Sequence, residues 1–510
     1  MTGAGADHNV PVRGFRSWPG RSLLFSVSFL ILLLGWAAVT PVGSAPDDDY
    51  HLSSIWCSQG NNAGVCEDDP SDPLARLLPE NVAQAHRCYA FESGITGVCT
   101  DELTEDLVST TRVNEAAGLY PPWFYKSMSL FAGSDPQSSV LVMRSVNALI
   151  AVVMLFAALW LAPRGIARSI AVATLIAYVP IGLYIIPSTN PSSWALTGVV
   201  AFWTFGMSLM ARSESCERWR TSALATGAVI GALMAVASRL DSSVYLTVVV
   251  AVIFLAVGIA QARRRWLSAL LLLALALMGL VSYVTTNPPV SPGGEALGDS
   301  EPGIGLLLTN SVNVLVYLQE AVGGPLGWYD IFMPTWVPII GTLAIGFVIY
   351  RQLSFGLSRI LLASAFGFVA FLLIPVAFLQ LAGLDVGELI QPRYLLPVLV
   401  VFIATATLSP EDSHDGAWPR PVLLALMPAL AVSALLAFWY TTHRYAAGSG
   451  QGLFDLDLVI EWAGLTGVPW LLVVLTTVTA TVAFFATGYA ILRDPKVVTE
   501  ARPEVDEVPA

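Results

Sequence analysis

The sequence predicts an all-α polytopic membrane protein, and three observations support this fold class. Hydrophobic residues make up 55% of the 510 residues and charged residues only 12%, about half the charged fraction of soluble globular chains. The mean hydropathy is +0.67. Apolar runs of about 20 residues recur along the chain, and a helix of that length crosses a bilayer core roughly 30 Å thick. This composition excludes a soluble enzyme and a disordered regulator.

Twelve apolar segments are predicted to span the membrane as helices. They follow one another closely and are mostly joined by short loops, which favours a helical bundle over a β-barrel with alternating strands of about ten residues. The predicted spans are 22–39, 140–162, 166–186, 194–210, 222–237, 244–260, 266–285, 337–350, 360–381, 394–408, 422–440 and 465–492.

The distribution of arginine predicts which loops face the cytoplasm. Arginine is concentrated in alternate loops, for example at 212–220 and 263–265, and cytoplasmic loops carry the excess of basic residues. Both termini are then cytoplasmic. We expect a cytoplasmic tail over 1–21, a membrane domain over 22–492 and a disordered cytoplasmic tail over 493–510, because the last segment is charged and contains proline.

Two apolar segments have an alternative interpretation. Segment 304–322 is interrupted by polar residues such as Asn310 and Glu320. A crossing there would move the basic loop that follows it to the outer side, so we predict an interfacial or re-entrant helix on the outer side instead. The first span could be a signal peptide with a small-residue cleavage site at 43–45, but it is longer than the usual apolar region of about 7–15 residues. We therefore expect an uncleaved anchor.

Polar residues are concentrated in two long outer loops, 41–139 and 287–336, so we expect the chemistry on the outer face and small helices in the first loop. Cysteine placement agrees, because four cysteines in an oxidising compartment predict two disulfides, with three pairings open. Their spacing does not fit the close pairs of a structural zinc site. The four are Cys57, Cys66, Cys88 and Cys99, and Cys216 lies alone on the predicted cytoplasmic side.

Three consecutive aspartates, Asp47, Asp48 and Asp49, follow the first span directly. Adjacent carboxylates repel one another, so at least one pKa should rise unless a cation or a hydrogen-bond donor is close. Such a group could act as a general base, or the three could recruit a divalent cation, Mg²⁺ or Mn²⁺, through oxygen ligands. The alternative is a solvated acidic turn that keeps the loop outside.

Arg144, Arg239 and Arg393 lie at the predicted outer ends of spans, against the positive-inside tendency. Three guanidinium groups at one level of the bilayer could hold an anion, and their planar donor geometry suits phosphate. The alternative is separate ion pairing, of Arg239 with Asp241 and of Arg393 with a nearby loop carboxylate. The net charge of −12 argues against a nucleic-acid partner, because phosphate-backbone binding needs a basic face.

Several short motifs extend this interpretation. Together they resemble a family of uncharacterised bacterial multipass membrane proteins, known only as a domain of unknown function, which is itself similar to the GT-C glycosyltransferases. Two residues depart from the family pattern, since Asp49 replaces an uncharged residue and Arg239 a lysine. The motifs are Pro-Asp-Asp-Asp-Tyr-His at 46–51, Tyr-Pro-Pro-Trp-Phe-Tyr at 120–125, Arg144, Ser-Thr-Asn-Pro at 188–191, Leu-Gly-Trp-Tyr-Asp at 326–330 and Gln-Pro-Arg-Tyr-Leu-Leu-Pro at 391–397.

The resemblance implies a GT-C-like bundle in the bacterial plasma membrane. It would move a sugar from a polyprenyl-phosphate donor to an envelope glycan or glycolipid on the extracytoplasmic face, with Asp47 or Asp48 as base. Arginines would hold the phosphate, and aromatic side chains would stack on the sugar or prenyl chain. The predicted substrate-binding residues are Asp49, His51, Tyr120, Trp123, Lys126, Arg144, Asn190, Arg239, Trp328, Asp330, Gln391 and Arg393.

Two other functions fit the same residues. In a transporter or flippase of lipid-linked glycans, the arginines would form a headgroup site. In a non-catalytic envelope-assembly protein, the disulfide-bonded loop would dock a partner. Ionisable residues are absent from the middle of the predicted spans, which counts against an ion-coupled pump.

Overall fold

A computed structural model describes residues 14–114, 118–213, 216–286, 302–409, 418–452 and 469–493. These residues are mostly α-helical. The helices are α1 (Gly14–Ala38), α2 (Asp48–Cys57), α3 (Glu80–Ala83), α4 (Trp123–Met128), α5 (Pro136–Leu161), α6 (Arg164–Ala177), α7 (Ile181–Ile185), α8 (Ser192–Ala211), α9 (Arg218–Ser238), α10 (Leu240–Arg264), α11 (Trp266–Thr285), α12 (Ile304–Asn313), α13 (Val316–Ala321), α14 (Trp336–Ser354), α15 (Arg359–Ala382), α16 (Pro392–Ala406), α17 (Arg420–Ala446) and α18 (Trp470–Arg493).

Every predicted span coincides with helical structure, and the prediction of a multipass helical protein is confirmed. Within the described residues, ten helices are long and apolar enough to cross a membrane by length and composition. The other two predicted spans form shorter helices. At 166–186 the helix is interrupted after Ala177 near Pro180, because proline lacks an amide donor and its ring blocks the preceding turn. The second, α16, has 15 residues, about 22 Å of helix.

The short helix α16 lies in the interior of the bundle. All its residues except Tyr394 are buried, and it packs against α6, α8, α10 and α15. Its first turn carries Arg393. The bundle therefore surrounds the element that supplies a cation to the end predicted to be the outer one.

One predicted boundary differs from the structure, and one helix predicted not to span the membrane is divided in two. Helix α1 begins at Gly14, inside the predicted tail, and Trp18 is buried, its indole N–H donating to the Leu159 carbonyl oxygen at 3.3 Å. Segment 304–322 forms the two short helices α12 and α13, neither of which is long enough to span. The predicted tail positions 1–13 and 494–510 lie outside the described residues.

The first outer loop folds as a compact unit, with the predicted small helices and both predicted disulfides. The bonds join Cys57 to Cys66 and Cys88 to Cys99. A three-stranded antiparallel sheet accompanies them, with strands β1 (Glu67–Asp68), β2 (Arg76–Pro79) and β3 (Leu107–Thr110) in the order β1-β2-β3. Buried side chains of α2 and α4 form a separate small core with this unit.

Buried hydrogen bonds fix this loop to the bundle. The Tyr89 hydroxyl donates to the Val42 carbonyl oxygen at 2.5 Å, and the Tyr184 hydroxyl donates to the Ser44 carbonyl oxygen at 2.6 Å. Both tyrosines are buried. The segment between α1 and α2, which leads into the three aspartates, is therefore held on two sides.

Candidate active site

Asp47 stands at the start of α2 with a left-handed backbone conformation, φ 62° and ψ 18°. Its Oδ2 lies 2.5 Å from Arg393 Nη2 and accepts a longer bond from the Tyr394 hydroxyl at 3.4 Å. The side chain is 33% exposed, whereas that of Arg393 is 5% exposed. Asp47 is thus a carboxylate that is held by a buried cation and is still open to an incoming group.

A second guanidinium completes this arrangement. Arg239 lies between α9 and α10. Its Cζ atom is 3.8 Å from the centroid of the Tyr394 ring and 5.5 Å from the centroid of the Tyr120 ring. Its Nε also lies 3.0 Å from Asp241 Oδ1. The ion pair that was predicted as the alternative to anion binding is therefore present as well. We call Asp47, Arg239, Arg393, Tyr120 and Tyr394 the outer cluster.

The pKa of Asp47 lies below its usual range. Burial pushes this pKa upward, but the charge of Arg393 and, more weakly, the charges of Arg239 and Arg112 outweigh the burial by favouring the carboxylate. Asp47 is therefore ionised at neutral pH.

Asp48, the second candidate base, is fully buried. Its Oδ2 accepts from the Ala45 amide at 3.0 Å and its Oδ1 from the Thr189 hydroxyl at 2.8 Å. Burial raises its pKa to about 7, although nearby Arg144 and the two hydrogen bonds favour the ionised form. This burial leaves a substrate hydroxyl no access to the carboxyl group in this conformation, which does not fit the predicted role of Asp48 as a base.

The raised pKa of Asp48 predicts a pH dependence of stability. Because the folded-state pKa lies above the ordinary 3.8, the contribution to stability is complete below pH 3.8 and is lost as the pH rises through about 7. In Asp48→Asn this contribution no longer titrates, and the amide can still serve both partners because the threonine hydroxyl also accepts. We expect the midpoint of thermal unfolding to fall less in Asp48→Asn than in wild type between about pH 5 and pH 8.

The control for this measurement is Asp101→Asn, since Asp101 lies exposed in the same outer loop and accepts a bond from Gln137 at 2.9 Å. It should follow the wild-type pH profile. Parallel profiles for wild type and Asp48→Asn would contradict the prediction.

The three aspartates do not fit a shared divalent cation. Asp49 Oδ2 lies 2.6 Å from Arg112 Nε, so each of the three carboxyl groups is directed at a different partner. Among the residues that the structure describes, no group of three or more His, Cys, Asp or Glu side chains could hold a metal ion. The expected Mg²⁺ or Mn²⁺ site is therefore not supported by this arrangement.

His51 lies one helical turn beyond Asp47 and is fully buried. Its Nδ1 is 2.9 Å from the Tyr125 hydroxyl, and its ring packs against the rings of Tyr120 and Tyr125. Burial lowers its pKa to about 3, against the opposing effect of Asp47, so the imidazole is neutral. His51 thus packs against Tyr120 of the outer cluster.

The guanidinium of Arg144, predicted to hold an anion with Arg239 and Arg393, is engaged by other acceptors. It is buried, and its terminal nitrogens donate to the carbonyl oxygens of Ala37, Thr40 and Pro41 and to the Ser44 hydroxyl, at 3.4, 2.5, 2.9 and 2.9 Å. These acceptors belong to the end of α1 and the turn after it. The guanidinium therefore caps α1 and holds the turn that leads to Asp47.

Asp330, predicted to bind substrate, forms a buried ion pair. Its Oδ2 lies 2.6 Å from Arg444 Nη2, with both side chains at most 5% exposed. Its Oδ1 accepts from the Trp328 amide at 3.1 Å. The Trp328 indole N–H donates to the Gly43 carbonyl oxygen at 2.8 Å, and its ring stacks on His86. These residues fix the outer loops to each other.

Of the remaining predicted residues, Asn190 and Gln391 adjoin the site in sequence or by contact, whereas Trp123 and Lys126 take no part in the described contacts of the outer cluster. Asn190 is buried and donates to the Pro46 carbonyl oxygen at 2.8 Å, so it positions the acidic turn. Gln391 precedes Arg393, and its Oε1 is buried without a hydrogen-bond partner among the described residues. Trp123 is 62% exposed, and Lys126 Nζ lies 5.6 Å from the centroid of its ring, apart from the contacts of the outer cluster.

Sequence reasoning did not include Tyr394, Arg112 or Tyr125 among the candidate residues. Tyr394 contacts Asp47, Arg239 and Arg393, and its signal was its place beside Arg393 in the 391–397 motif. Tyr125 stood in the 120–125 motif. Arg112 carried no motif, so only the folded loop shows that it pairs with Asp49.

A cavity of about 20 Å³ lies directly beside Arg393, lined also by Pro46, Tyr184 and Tyr329. This volume is about that of one water molecule, so a sugar does not fit there.

Fold and site together define a polytopic membrane protein with a buried-cation, exposed-carboxylate cluster at one end of a helical bundle. The chain belongs to the family of predicted membrane proteins DUF2142, whose model matches residues 30–402. All five residues of the outer cluster lie within the match. The family resemblance predicted from the motifs is thereby confirmed.

Among solved structures, the chain is similar to ArnT from Cupriavidus metallidurans in the apo state and bound to undecaprenyl phosphate. The TM-scores are 0.44 and 0.43, and each is 12% identical to this chain. The alignments cover 93% of this chain and 76% and 77% of the ArnT chains. No curated protein matches the sequence.

Proposed function

We propose that this protein is a glycosyltransferase of the bacterial plasma membrane. It would transfer a sugar from a polyprenyl-phosphate donor to an envelope glycan or glycolipid on the extracytoplasmic face. The observation that carries this proposal is the pairing of Asp47, partly exposed and ionised, with the buried Arg393 at the outer cluster. The cluster combines an accessible base with cations that can receive a phosphate, at the end of a membrane-spanning bundle.

In this reaction the acceptor hydroxyl would donate its proton to Asp47 as its oxygen attacks the anomeric carbon. The bond between that carbon and the phosphate oxygen breaks, and its electron pair leaves with the polyprenyl phosphate. Arg393 and Arg239 would stabilise the charge that develops on the leaving phosphate. Attack opposite to the leaving group inverts the configuration of the sugar.

Arg393 connects donor binding to the strength of the base. Its guanidinium is the leading charge that holds the pKa of Asp47 low, which makes the free carboxylate a weak base. A donor phosphate that draws hydrogen bonds from Arg393 would weaken this effect and raise the pKa of Asp47. The base would then gain strength when the donor is bound.

Arg393→Gln should therefore change the pH profile as well as the rate. Without the guanidinium, the pKa of Asp47 rises, and the acid limb of kcat/KM moves to higher pH, since kcat/KM reports the groups of the free enzyme. We expect kcat/KM for the donor to fall by roughly tenfold to hundredfold, the value of about one hydrogen bond to a charged group.

Arg393→Lys is the matched control, because it keeps the charge but loses the planar fork. Its acid limb should stay near that of wild type while donor binding weakens. An acid limb that does not move in Arg393→Gln would contradict the proposed link between the two residues.

The class of reaction is tested with purified full-length protein in detergent. A panel of polyprenyl-phosphate-linked sugars is supplied with membrane glycolipid extract, and the release of free polyprenyl phosphate is followed by mass spectrometry. Release that depends on the extract supports transfer. Lipid bound to the protein without any release would instead indicate a flippase. The absence of both binding and release would contradict both functions.

A further inference from the structure

A large cavity lies at the end of the bundle opposite to the outer cluster. Its volume is about 850 Å³, within the range of roughly 300–1,000 Å³ typical of ligand sites. Helix α10 begins beside Arg239 and ends at Arg264, which lines the cavity. The 25 residues of this helix separate the two sites by more than about 30 Å. The loop charges predict this end to be cytoplasmic.

The charge of the cavity wall is one-sided. Five arginines line it, and none of its described lining residues is Asp or Glu. Guanidinium groups stay charged in proteins, so this arrangement concentrates positive charge in a partly enclosed volume. The five are Arg168, Arg212, Arg264, Arg265 and Arg359.

Uncharged acceptors orient two of these arginines, Arg212 and Arg265, without neutralising their charge. Arg265 Nη2 donates to the Arg212 carbonyl oxygen at 2.9 Å, and Arg212 Nη1 donates to the Ser268 hydroxyl at 3.0 Å and to the Leu209 carbonyl oxygen. Arg265 Nε is buried and has no partner among the described residues. The neighbouring charge of Arg265 and burial together lower the pKa of Arg212, with burial the larger cause.

Arg359 reaches the wall through a break in α10. Gly258 has a non-helical backbone there, φ 80° and ψ 163°, and Arg359 Nη1 lies 3.5 Å from the Val257 carbonyl oxygen. A Cβ at position 258 would collide with the guanidinium. A glycine is therefore favoured by the backbone conformation at this position, and a larger residue would also displace the Arg359 guanidinium.

We propose that this cavity binds a phosphate-bearing anion. An anion would relieve the repulsion among Arg212, Arg265 and Arg359, whose described contacts are to uncharged groups, and their donor groups suit phosphate oxygens. Basic pockets between membrane helices on the cytoplasmic side are suited to the headgroups of anionic phospholipids, and the volume accommodates such a headgroup. Free inorganic phosphate offers the same chemistry. This site is separate from the outer cluster and does not depend on the proposed transferase activity.

The test uses the purified full-length protein in a neutral detergent. Dioctanoyl phosphatidylglycerol, dioctanoyl phosphatidylcholine and inorganic phosphate are titrated separately, and the midpoint of thermal unfolding gives the apparent affinity. The variants are Arg359→Gln, whose side chain is exposed, and Arg265→Gln/Arg359→Gln. Arg263→Gln is the matched control, since Arg263 directly precedes Arg264 and Arg265 in the chain but does not line the cavity.

We expect phosphatidylglycerol to bind wild type and Arg263→Gln alike, and the double variant about tenfold or more weakly, the value of losing a charged hydrogen bond. Inorganic phosphate binding with the same dependence on the arginines would identify free phosphate as the source, and its absence a lipid headgroup. Equal affinity for phosphatidylcholine, or phosphatidylglycerol binding that the arginine variants leave unchanged, would overturn the proposal.

An intramolecular anion is tested in the same assay. The sequence between Ser409 and Trp418, both of which line the cavity, contains Glu411, Asp412 and Asp415. In Glu411→Gln/Asp412→Asn/Asp415→Asn the binding of phosphatidylglycerol or phosphate should persist. Arginine-dependent binding that appears in this variant but not in wild type would show that acidic residues of the chain itself fill the cavity, and would overturn the proposal.

Discussion

Asp47→Asn should lower the rate of sugar transfer by about 10²–10⁴-fold, the usual contribution of a general base. The amide keeps the size of the side chain and can accept a bond from Arg393, which the carboxylate contacts at 2.5 Å. It cannot take the proton of an acceptor hydroxyl. The measurement is the release of polyprenyl phosphate by purified protein, with donor binding determined in parallel.

Donor affinity separates this role from a structural one. Asp47→Asn removes a charge that competes for Arg393, so we expect donor binding to be retained or tightened while kcat falls. Asp101→Asn, in the same outer loop, should keep wild-type activity. Full activity in Asp47→Asn would reject this carboxylate as the base and leave the proposed mechanism without one.

The second large effect concerns stability. Arg444→Met should lower the free energy of unfolding by about 3–5 kcal/mol, the range for breaking a buried ion pair from one side. The change leaves Asp330 buried without its cation. It also removes the donor to the carbonyl oxygens of Tyr89, Glu92 and Ile95. Thermal unfolding in detergent measures the loss.

The compensating variant is Arg444→Met/Asp330→Leu, which removes both charges and should recover part of the stability. Arg112→Met provides a contrast. Its ion pair with Asp49 is about half exposed on the arginine side, so we expect a change of about 1 kcal/mol or less. Similar losses for Arg444→Met and Arg112→Met would contradict the buried-pair argument.

The sequence predicted the membrane-spanning architecture well because long apolar runs have few alternative structures. Helices satisfy their own backbone hydrogen bonds in lipid, so length and hydropathy locate them. The interruption near Pro180 and the burial of the 15-residue helix α16 were not predicted. Both depend on burial inside the bundle, where a helix need not face lipid along its whole length.

The candidate site was predicted in part. Asp47, Arg239 and Arg393 were selected from their positions at span ends, and the structure brings them together. Arg144 had the same pattern, yet its guanidinium is occupied by carbonyl oxygens at the end of α1. A sequence shows that a cation lies near the membrane boundary, but whether it faces a cavity or a helix terminus depends on the orientation of its helix.

The contact between Asp47 and Arg393 joins residues 346 positions apart. During synthesis, the acidic turn would leave the ribosome long before its cation, with most of the bundle still to be made. Asp47 would wait for its partner until the segment 392–406 has entered the bilayer. A nascent chain released before that point would carry the carboxylate without the guanidinium, so the ion pair forms only in chains that extend beyond Arg393.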